Sequence, residues 1–318
     1  MNSPFALVLL IGGLAVLWAG AELLVTSAVS LAFKLGVSPM VVGLTIVAVG
    51  TSAPEAAAGL SAAIRGAADV AVGDVYGSNI ANLALVGGIS AVILPIQTAR
   101  SAVRRELPIL LLTTTLIPAA VWDSHLSRAE GFFFLAVFTI FLLVVIHFAR
   151  RDANSWSDNG KPLARYRIDS SIKAFLGITA GLVILALGAE SAVRGAIFLG
   201  GRIGLSDAVI GLTIIAVGTS LPELATCVVA AARGNSELTV GNLVGSNVFN
   251  ALLVLGGAGV VRPLDMSPRL AAGADYWILL ATTVIFTTTA ALSGRISRTS
   301  GGVLLALYTA YMVYLFST

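Results

Sequence analysis

The chain has 318 residues, of which 57% are hydrophobic and only 11% charged, with a mean hydropathy of +0.96 and a formal net charge of +3. A water-soluble domain carries about 25% charged residues, so these values exclude a soluble enzyme, a nucleic-acid-binding protein and a disordered chain. They leave an integral membrane protein whose outer surface is solvated by lipid. One cysteine and two histidines allow no internal disulfide and no Cys/His metal cluster.

Crossing a bilayer core takes about 20 apolar helical residues. In chain order, the runs that answer to this are residues 5–33, 35–64 and 70–99, each with one charge (Glu22, Glu55 and Asp74), then 107–122 and 131–149 with none. There follow 174–193 with Glu190, 208–232 with Glu223, and 238–261, 276–294 and 299–318 with none. The runs are continuous, unlike the alternating strands of about 10 residues in a membrane barrel. An all-α polytopic membrane protein of ten transmembrane helices is predicted. Residues 107–122 are short, so their ends must snorkel or the bilayer must thin. The first run lacks the basic start and small-residue cleavage site of a signal peptide, and reads as a helix. With ten helices, 13 Lys and Arg fall on one side and 6 on the other. That places residues 150–173 in the cytoplasm and both termini outside. That orientation is the one expected in a plasma (inner) membrane.

A repeat runs through the chain. Gly43-Leu-Thr-Ile-Val-Ala-Val-Gly-Thr-Ser-Ala-Pro-Glu55 recurs as Gly211-Leu-Thr-Ile-Ile-Ala-Val-Gly-Thr-Ser-Leu-Pro-Glu223, 168 positions later. The same offset pairs Gly77-Ser-Asn-Ile-Ala-Asn82 with Gly245-Ser-Asn-Val-Phe-Asn250, and Glu22 with Glu190. Over residues 43–88 against 211–256, 25 of 46 positions are identical without a gap. Five helices per half means that the second half starts from the opposite side, so the two five-helix repeats are predicted to be inverted. The division is residues 1–149, a linker at 150–173, and 174–318. Inverted repeats with broken helices near mid-depth are a common architecture of secondary transporters.

Glu55 and Glu223 lie deep in apolar runs that contain no Lys or Arg. An ionised carboxylate there needs a counter-cation or water, which leaves a proton or a bound metal ion. Thr51, Ser52 and Glu55 share one helical turn, and Ser78 and Asn82, four apart, share a face; Thr219, Ser220, Glu223, Ser246 and Asn250 repeat the set. Pro54 and Pro222 lack an N–H and clash with the carbonyl four residues back, which kinks the helix and frees an acceptor. Carboxylate, hydroxyl, amide and backbone oxygens together suit a hard cation such as Ca²⁺ or Na⁺. Copper or zinc would call for His or Cys. A lone Ser or Thr ordinarily bonds its own i−4 carbonyl, and a lone Asn can simply join helices, but two symmetric Glu with the same escort point to an ion site. Gly73-x-x-x-Gly77 and Gly241-x-x-x-Gly245 are expected to let their helices approach the kinked ones closely. Glu22 and Glu190 read as interfacial, Asp74 as a departure from symmetry opposite Asn242, and Cys227 and His147 as packing residues.

On these motifs the chain resembles the calcium/cation antiporter superfamily, most closely its bacterial and archaeal sodium/calcium exchangers. Gly-Thr-Ser-x-Pro-Glu followed by Gly-Ser-Asn carries the resemblance, which covers the whole length. It implies exchange of Ca²⁺ for Na⁺, with no resident cofactor. It also implies Glu55 and Glu223 as calcium carboxylates, with Thr51, Ser52, Ser78, Thr219, Ser220 and Ser246 serving sodium or calcium. The backbone carbonyls of Ala48 and Ala216, and Asn82 and Asn250, would complete the site. Many family members have Asp where this chain has Asn250, so the centre carries two evident carboxylates instead of three. The proton-coupled branch usually shows Gly-Asn-Ala-x-Glu in place of Gly-Thr-Ser-x-Pro-Glu, so sodium is the expected driving ion. Rival readings are a proton-coupled cation antiporter, a cation channel, and an intramembrane enzyme. The last has no His–Glu zinc motif and no plausible Ser/His pair, and no phosphate-binding loop is present to use ATP.

Overall fold

The computed structural model describes residues 3–157, 168–204 and 216–317. Residues 158–167 of the expected linker and residues 211–215 at the start of the second signature lie outside the described residues. The chain opens with α1 (Ser3–Leu35), then a bent pair, α2 (Pro39–Thr51) and α3 (Ala53–Ile64), whose axes diverge by 49°. Next come α4 (Ala68–Ile93), β1 (Ile96–Gln97), α5 (Arg100–Arg104), α6 (Glu106–Val121), β2 (His125–Leu126) and α7 (Arg128–Ser157). The rest comprises α8 (Ser171–Arg202), α9 (Ala216–Thr219), α10 (Leu221–Ala232), α11 (Ser236–Val261), β3 (Leu264–Asp265), α12 (Pro268–Ala272), α13 (Ala274–Ser293), β4 (Arg295–Ile296) and α14 (Arg298–Ser317).

Among the described residues, seven helices are long and apolar enough to cross a membrane, or eight if the bent pair forms one span. The shortfall from ten arises in two places. α6 has only 16 residues. The run at 208–232 passes through undescribed residues and leaves the 12-residue α10.

Local sequence explains the breaks. Pro54 and Pro222 sit at the starts of α3 and α10, and the preceding Ser52 (φ −85°, ψ 10°) and Ser220 (φ −87°, ψ 7°) leave the helical region together. Both helices then stop at a left-handed glycine, Gly66 (φ +76°) and Gly234 (φ +75°). α4 and α11 each contain a wide π turn, Ala81–Val86 and Phe249–Val254, 168 residues apart. A third lies at Gly43–Val47 in α2.

The equivalent helices α4 and α11 run antiparallel. The Ser267 N–H, just after α11, donates to Asp69 Oδ1 at the start of α4 (2.7 Å), and the Gln97 N–H, just after α4, donates to Ser236 Oγ at the start of α11 (3.0 Å). At their middles Asn79 Nδ2 donates to the Asn247 carbonyl (3.3 Å). Two miniature antiparallel ladders reinforce this exchange, β1 with β4 (Ile96 opposite Ile296) and β2 with β3 (His125 opposite Asp265).

α4 and α11 form the core, 72% and 78% buried over their apolar windows, whereas α7 and α14 are 22% and 17% buried and turn apolar side chains outward. α7 exposes Phe132, Phe133, Ile140 and Leu143 in this way. Small residues set the close contacts. A Cβ on Gly241 would lie 2.5 Å from the Met40 carbonyl, and one on Gly245 would lie 2.7 Å from both the Leu44 carbonyl and Ala48 Cβ, so α11 rests directly on the α2 backbone. Gly73 and Gly77 have no described atom within 4 Å of such a Cβ. Of the peripheral acids, Glu22 on α1 pairs with Arg233 and Glu190 pairs with Arg194 on its own helix. Cys227 is buried, and His147 stands edge-on to Phe148.

Two expectations follow from this packing. Gly245→Val should overpack the α2–α11 contact and cost about 1–3 kcal/mol, seen as a lower melting temperature in detergent. Gly12→Val, at a position with nothing within 4 Å, should melt like the wild type. The second concerns His125. Its Nδ1 lies 2.6 Å from Asp265 Oδ1, and that hydrogen bond, with the charges of Asp265, Asp123 and Glu130, raises its pKa above the ordinary value. The pair therefore stabilises the fold fully below about pH 6.5, and its contribution is lost as pH rises through the raised folded value. His125→Ala should flatten the fall in melting temperature across that window; an unchanged pH profile would show that the pair contributes nothing.

Candidate functional site

The break between α2 and α3 and that between α9 and α10 bring the polar signatures together across the α4–α11 crossing. Glu55 is 1% exposed and Glu223 0%. Each accepts a hydroxyl hydrogen bond from the other half of the chain. Ser52 Oγ donates to Glu223 Oε1 (2.8 Å), and Ser220 Oγ donates to Glu55 Oε1 at a longer 3.4 Å. Asn250 Nδ2 donates to Ser78 Oγ (3.2 Å), whose own proton goes to the Asp74 carbonyl one turn back (2.7 Å). Thr51 Oγ1 donates to Asn242 Oδ1 (3.2 Å) and approaches the Ala48 carbonyl (3.4 Å), which also accepts the Ser52 N–H (3.0 Å). Thr219 lines an adjoining cavity. Ala216 opens α9, and its side chain lies outside the described residues.

What these contacts leave over defines the site. Glu55 Oε2, Glu223 Oε2, Asn250 Oδ1, Ser246 Oγ and both polar atoms of Asn82 are buried without a hydrogen-bond partner among the described residues. A buried polar atom left unpaired costs about 1–3 kcal/mol, more if charged, so such a concentration is unusual in a stable core. Neither glutamate has an ion-pair partner among the described residues, and no group of three or more His, Cys, Asp or Glu occurs there. The unsatisfied atoms are mostly oxygens, and with two carboxylates they present negative charge and lone pairs to one small volume. That arrangement suits a hard cation.

Several contributors escaped the sequence reading. The π turns carry Asn82 and Asn250, and such turns often mark functional positions; no Pro or Gly inside residues 81–86 or 249–254 announces them. Asn79, Asn247 and Asn242 join the polar layer, although only the spacing of Ser78, Asn82, Ser246 and Asn250 had pointed there.

Two cavities approach the layer from opposite ends of the α4–α11 pair. The larger, about 540 Å³, is lined by Asp69, Gly73, Asp74, Ser78, Ala81 and Thr219, and so reaches the polar residues themselves. The smaller, about 360 Å³, is lined by Ser38, Ser101, Arg105, Glu106 and Glu237, and none of the site residues borders it. At the repeat position of Ala81 stands Phe249, which is buried and packs edge-on against Phe138 (6.0 Å), itself 6.2 Å from Phe141.

A helical membrane protein with a buried, carboxylate-bearing centre and cavities toward opposite ends has the build of a membrane antiporter. The chain belongs to the sodium/calcium exchanger protein family, whose profile matches residues 5–147 and 173–317. It is 32% identical to the sodium/calcium exchanger MaX1 of Methanosarcina acetivorans over 97% of both chains, and 36% identical to the inner membrane protein YrbG of Escherichia coli over 88% of this chain and 87% of that one. Among solved structures it resembles the sodium–calcium exchanger NCX_Mj soaked with Na⁺ and Sr²⁺, with a TM-score of 0.83 at 27% identity over 98% of this chain and 99% of that one. The family is one of transporters, not enzymes.

The exchanged hydroxyls can be tested without any transport assay. In double-mutant cycles read by unfolding, Ser52→Ala should couple to Glu223→Gln by about 0.5–3 kcal/mol. Its coupling to Glu55→Gln should be much weaker, and equal coupling would refute the crossed pairing.

Proposed function

We propose that this antiporter exchanges Ca²⁺ for Na⁺ by alternating access, with the ions held at mid-depth between Glu55 and Glu223. The observation that carries the reading is the pair of buried carboxylates, each steadied by a serine from the opposite half and each left with an unpaired oxygen. Ca²⁺ takes about six to eight oxygen ligands, and the layer offers Thr51, Ser52, Ser78, Asn82, Thr219, Ser220, Ser246 and Asn250 beside the carboxylates, with the Ala48 and Ala216 carbonyls. Pro54 and Pro222 hold the kinks that aim these groups inward. Na⁺ accepts the same ligand types, so the two ions compete for one place. The names of MaX1 and NCX_Mj, both sodium–calcium exchangers, support this pair of substrates.

Alternating access is supported by the antiparallel equivalence of α4 and α11 and by the unequal cavities. Residues 1–149 and 174–318 act as inverted five-helix repeats, with α6 and the run at 208–232 as the two thin spans that bring the total to ten. In this state the centre opens toward Asp69 and Arg269, and none of the site residues borders the cavity at the other end. The count of basic residues makes the open end external, residues 150–173 cytoplasmic and both termini external, in a prokaryotic inner membrane. The lipid bilayer is the surrounding partner.

The test is reconstitution in proteoliposomes. Wild-type protein should accumulate Ca²⁺ when an outward Na⁺ gradient is imposed, and Glu55→Gln and Glu223→Gln should each reduce that uptake to background while remaining folded. Uptake that follows a pH gradient and ignores Na⁺ would assign a proton as the driving ion. Flux that needs no ion on the opposite side would indicate a channel.

A further inference from the structure

Asp74 and Asn242 occupy the same repeat position, 168 residues apart, and the structure treats them oppositely. Asn242 is buried and satisfied at both ends, with Oδ1 accepting from Thr51 and Nδ2 donating to Cys227 Sγ (3.4 Å). Gly59 is the counterpart of Cys227, so Asp74 meets no thiol there; a Cβ on Gly59 would stand 3.9 Å from Asp74 Oδ2 and 2.8 Å from Val254 Cγ1, which packs against that position. That oxygen is buried and has no hydrogen-bond partner among the described residues. Beside it, fully buried Asn250 donates to Ser78 Oγ and leaves its own Oδ1 unpaired.

Helical spacing fixes the depth. Gly59 lies one turn beyond Glu55 on α3, and Ser78 lies one turn beyond Asp74 on α4, so the Asp74 carboxylate stands about 5.4 Å outward of the polar layer. It lies on the wall of the larger cavity, near enough to Glu55 for the two charges to interact. The cavity's other charged groups are engaged. Arg269 Nε donates to Asp275 Oδ2 (2.7 Å), the Tyr311 hydroxyl donates to Asp275 Oδ1 (3.4 Å), and Asp69 accepts from the Ser267 backbone.

We propose that Asp74 and Ser78 form a second cation position in the open cavity, one helical turn outward of Glu55 and Glu223, which takes a partly hydrated Ca²⁺ on its way to the centre. The proposal rests on the ion-site reading of Glu55 and Glu223. It gives the asymmetry a role: the open end carries a carboxylate and a glycine, where the closed end carries a neutral amide and a thiol. A third negative charge beside the two central ones also gives a compensating charge to any load above +2, which is costly at low dielectric.

The experiment compares Asp74→Asn, Asp74→Ser and Asp74→Glu in oriented proteoliposomes, with Na⁺-gradient-driven Ca²⁺ uptake read at each face. Asp74→Asn installs the residue already present at 242, and the serine variant guards against a folding defect peculiar to the amide. Both neutral variants should raise the KM for Ca²⁺ about tenfold from the face to which the cavity opens, with a smaller change from the other face. Asp74→Glu, which keeps the charge, should restore most of the affinity. An unchanged KM in the neutral variants, or a fall in maximal rate alone, overturns the proposal. Loss of uptake in Glu55→Gln alongside that result leaves the central site standing, whereas full uptake in Glu55→Gln removes the reading on which the proposal rests.

Discussion

Two carboxylates are buried at the centre of a membrane protein with no ion-pair partner among the described residues, and the rest of the structure is arranged around that constraint. An ionised carboxylate taken out of water loses several kcal/mol of solvation, so every neighbouring feature has to return some of it. The Ser52 and Ser220 hydroxyls do so directly, and because each reaches the glutamate of the opposite half, neither carboxylate is held by its own helix pair alone. The prolines break α2 from α3 at the turn where those serines must point inward. Gly241 and Gly245 bring the α11 backbone against α2, close enough for side chains as short as serine and asparagine to meet across the gap. The oxygens that remain unpaired are the share of solvation that, on the proposed reading, falls to a cation.

Near-symmetry makes the departures from it informative. Ala81 and Phe249, Gly59 and Cys227, and Asp74 and Asn242 are three matched positions at which one half has the smaller or charged residue and the other the larger or neutral one. All three differences act in the same sense. In the first half Ala81 and Asp74 line the cavity that reaches the polar layer, with Gly59 near Asp74, and the second half has a phenyl ring, a satisfied amide and a sulfur at the matching positions. A perfectly symmetric chain would have no reason to rest open at one end. On the proposed alternating-access reading, these substitutions would favour one resting state over its mirror image without altering the central residues.

The carboxylate pair was legible in the sequence because membrane interiors tolerate so few acids that position alone singled out Glu55 and Glu223. The kinks were legible because proline removes a known hydrogen bond. Close approach through Gly241 and Gly245 was legible because a missing side chain lets backbones meet, but the same motif at Gly73 and Gly77 has nothing within 4 Å, since which face docks is set by tertiary packing. What could not be read was set by tertiary packing. The spacing of Thr51, Ser52 and Glu55 places them on one turn, but only the docking of the halves sends Ser52 to Glu223. The π turns at Ala81–Val86 and Phe249–Val254 have no residue that demands them, since a widened turn is a compromise between a helix and its neighbours. The tally of ten spans depends on two places where apolar length and described helix length part company, one of them α6, which has only 16 residues.

The two miniature ladders bear on how the chain is made. β1 finds its partner only in β4 and β2 only in β3, so His125 must wait for Asp265, 140 residues later in synthesis. Until then the amino-terminal half emerges with both strand edges open and with Glu55 lacking the Ser220 hydroxyl. The halves are thus interlocked in the manner of a domain-swapped pair whose members happen to share one polypeptide. Contacts so distant in sequence are slow to form, and an amino-terminal half released alone would expose the very edges and acids that its missing counterpart covers. For a translocation machinery this makes completion of the second half, rather than insertion of the first, the committing event in assembly.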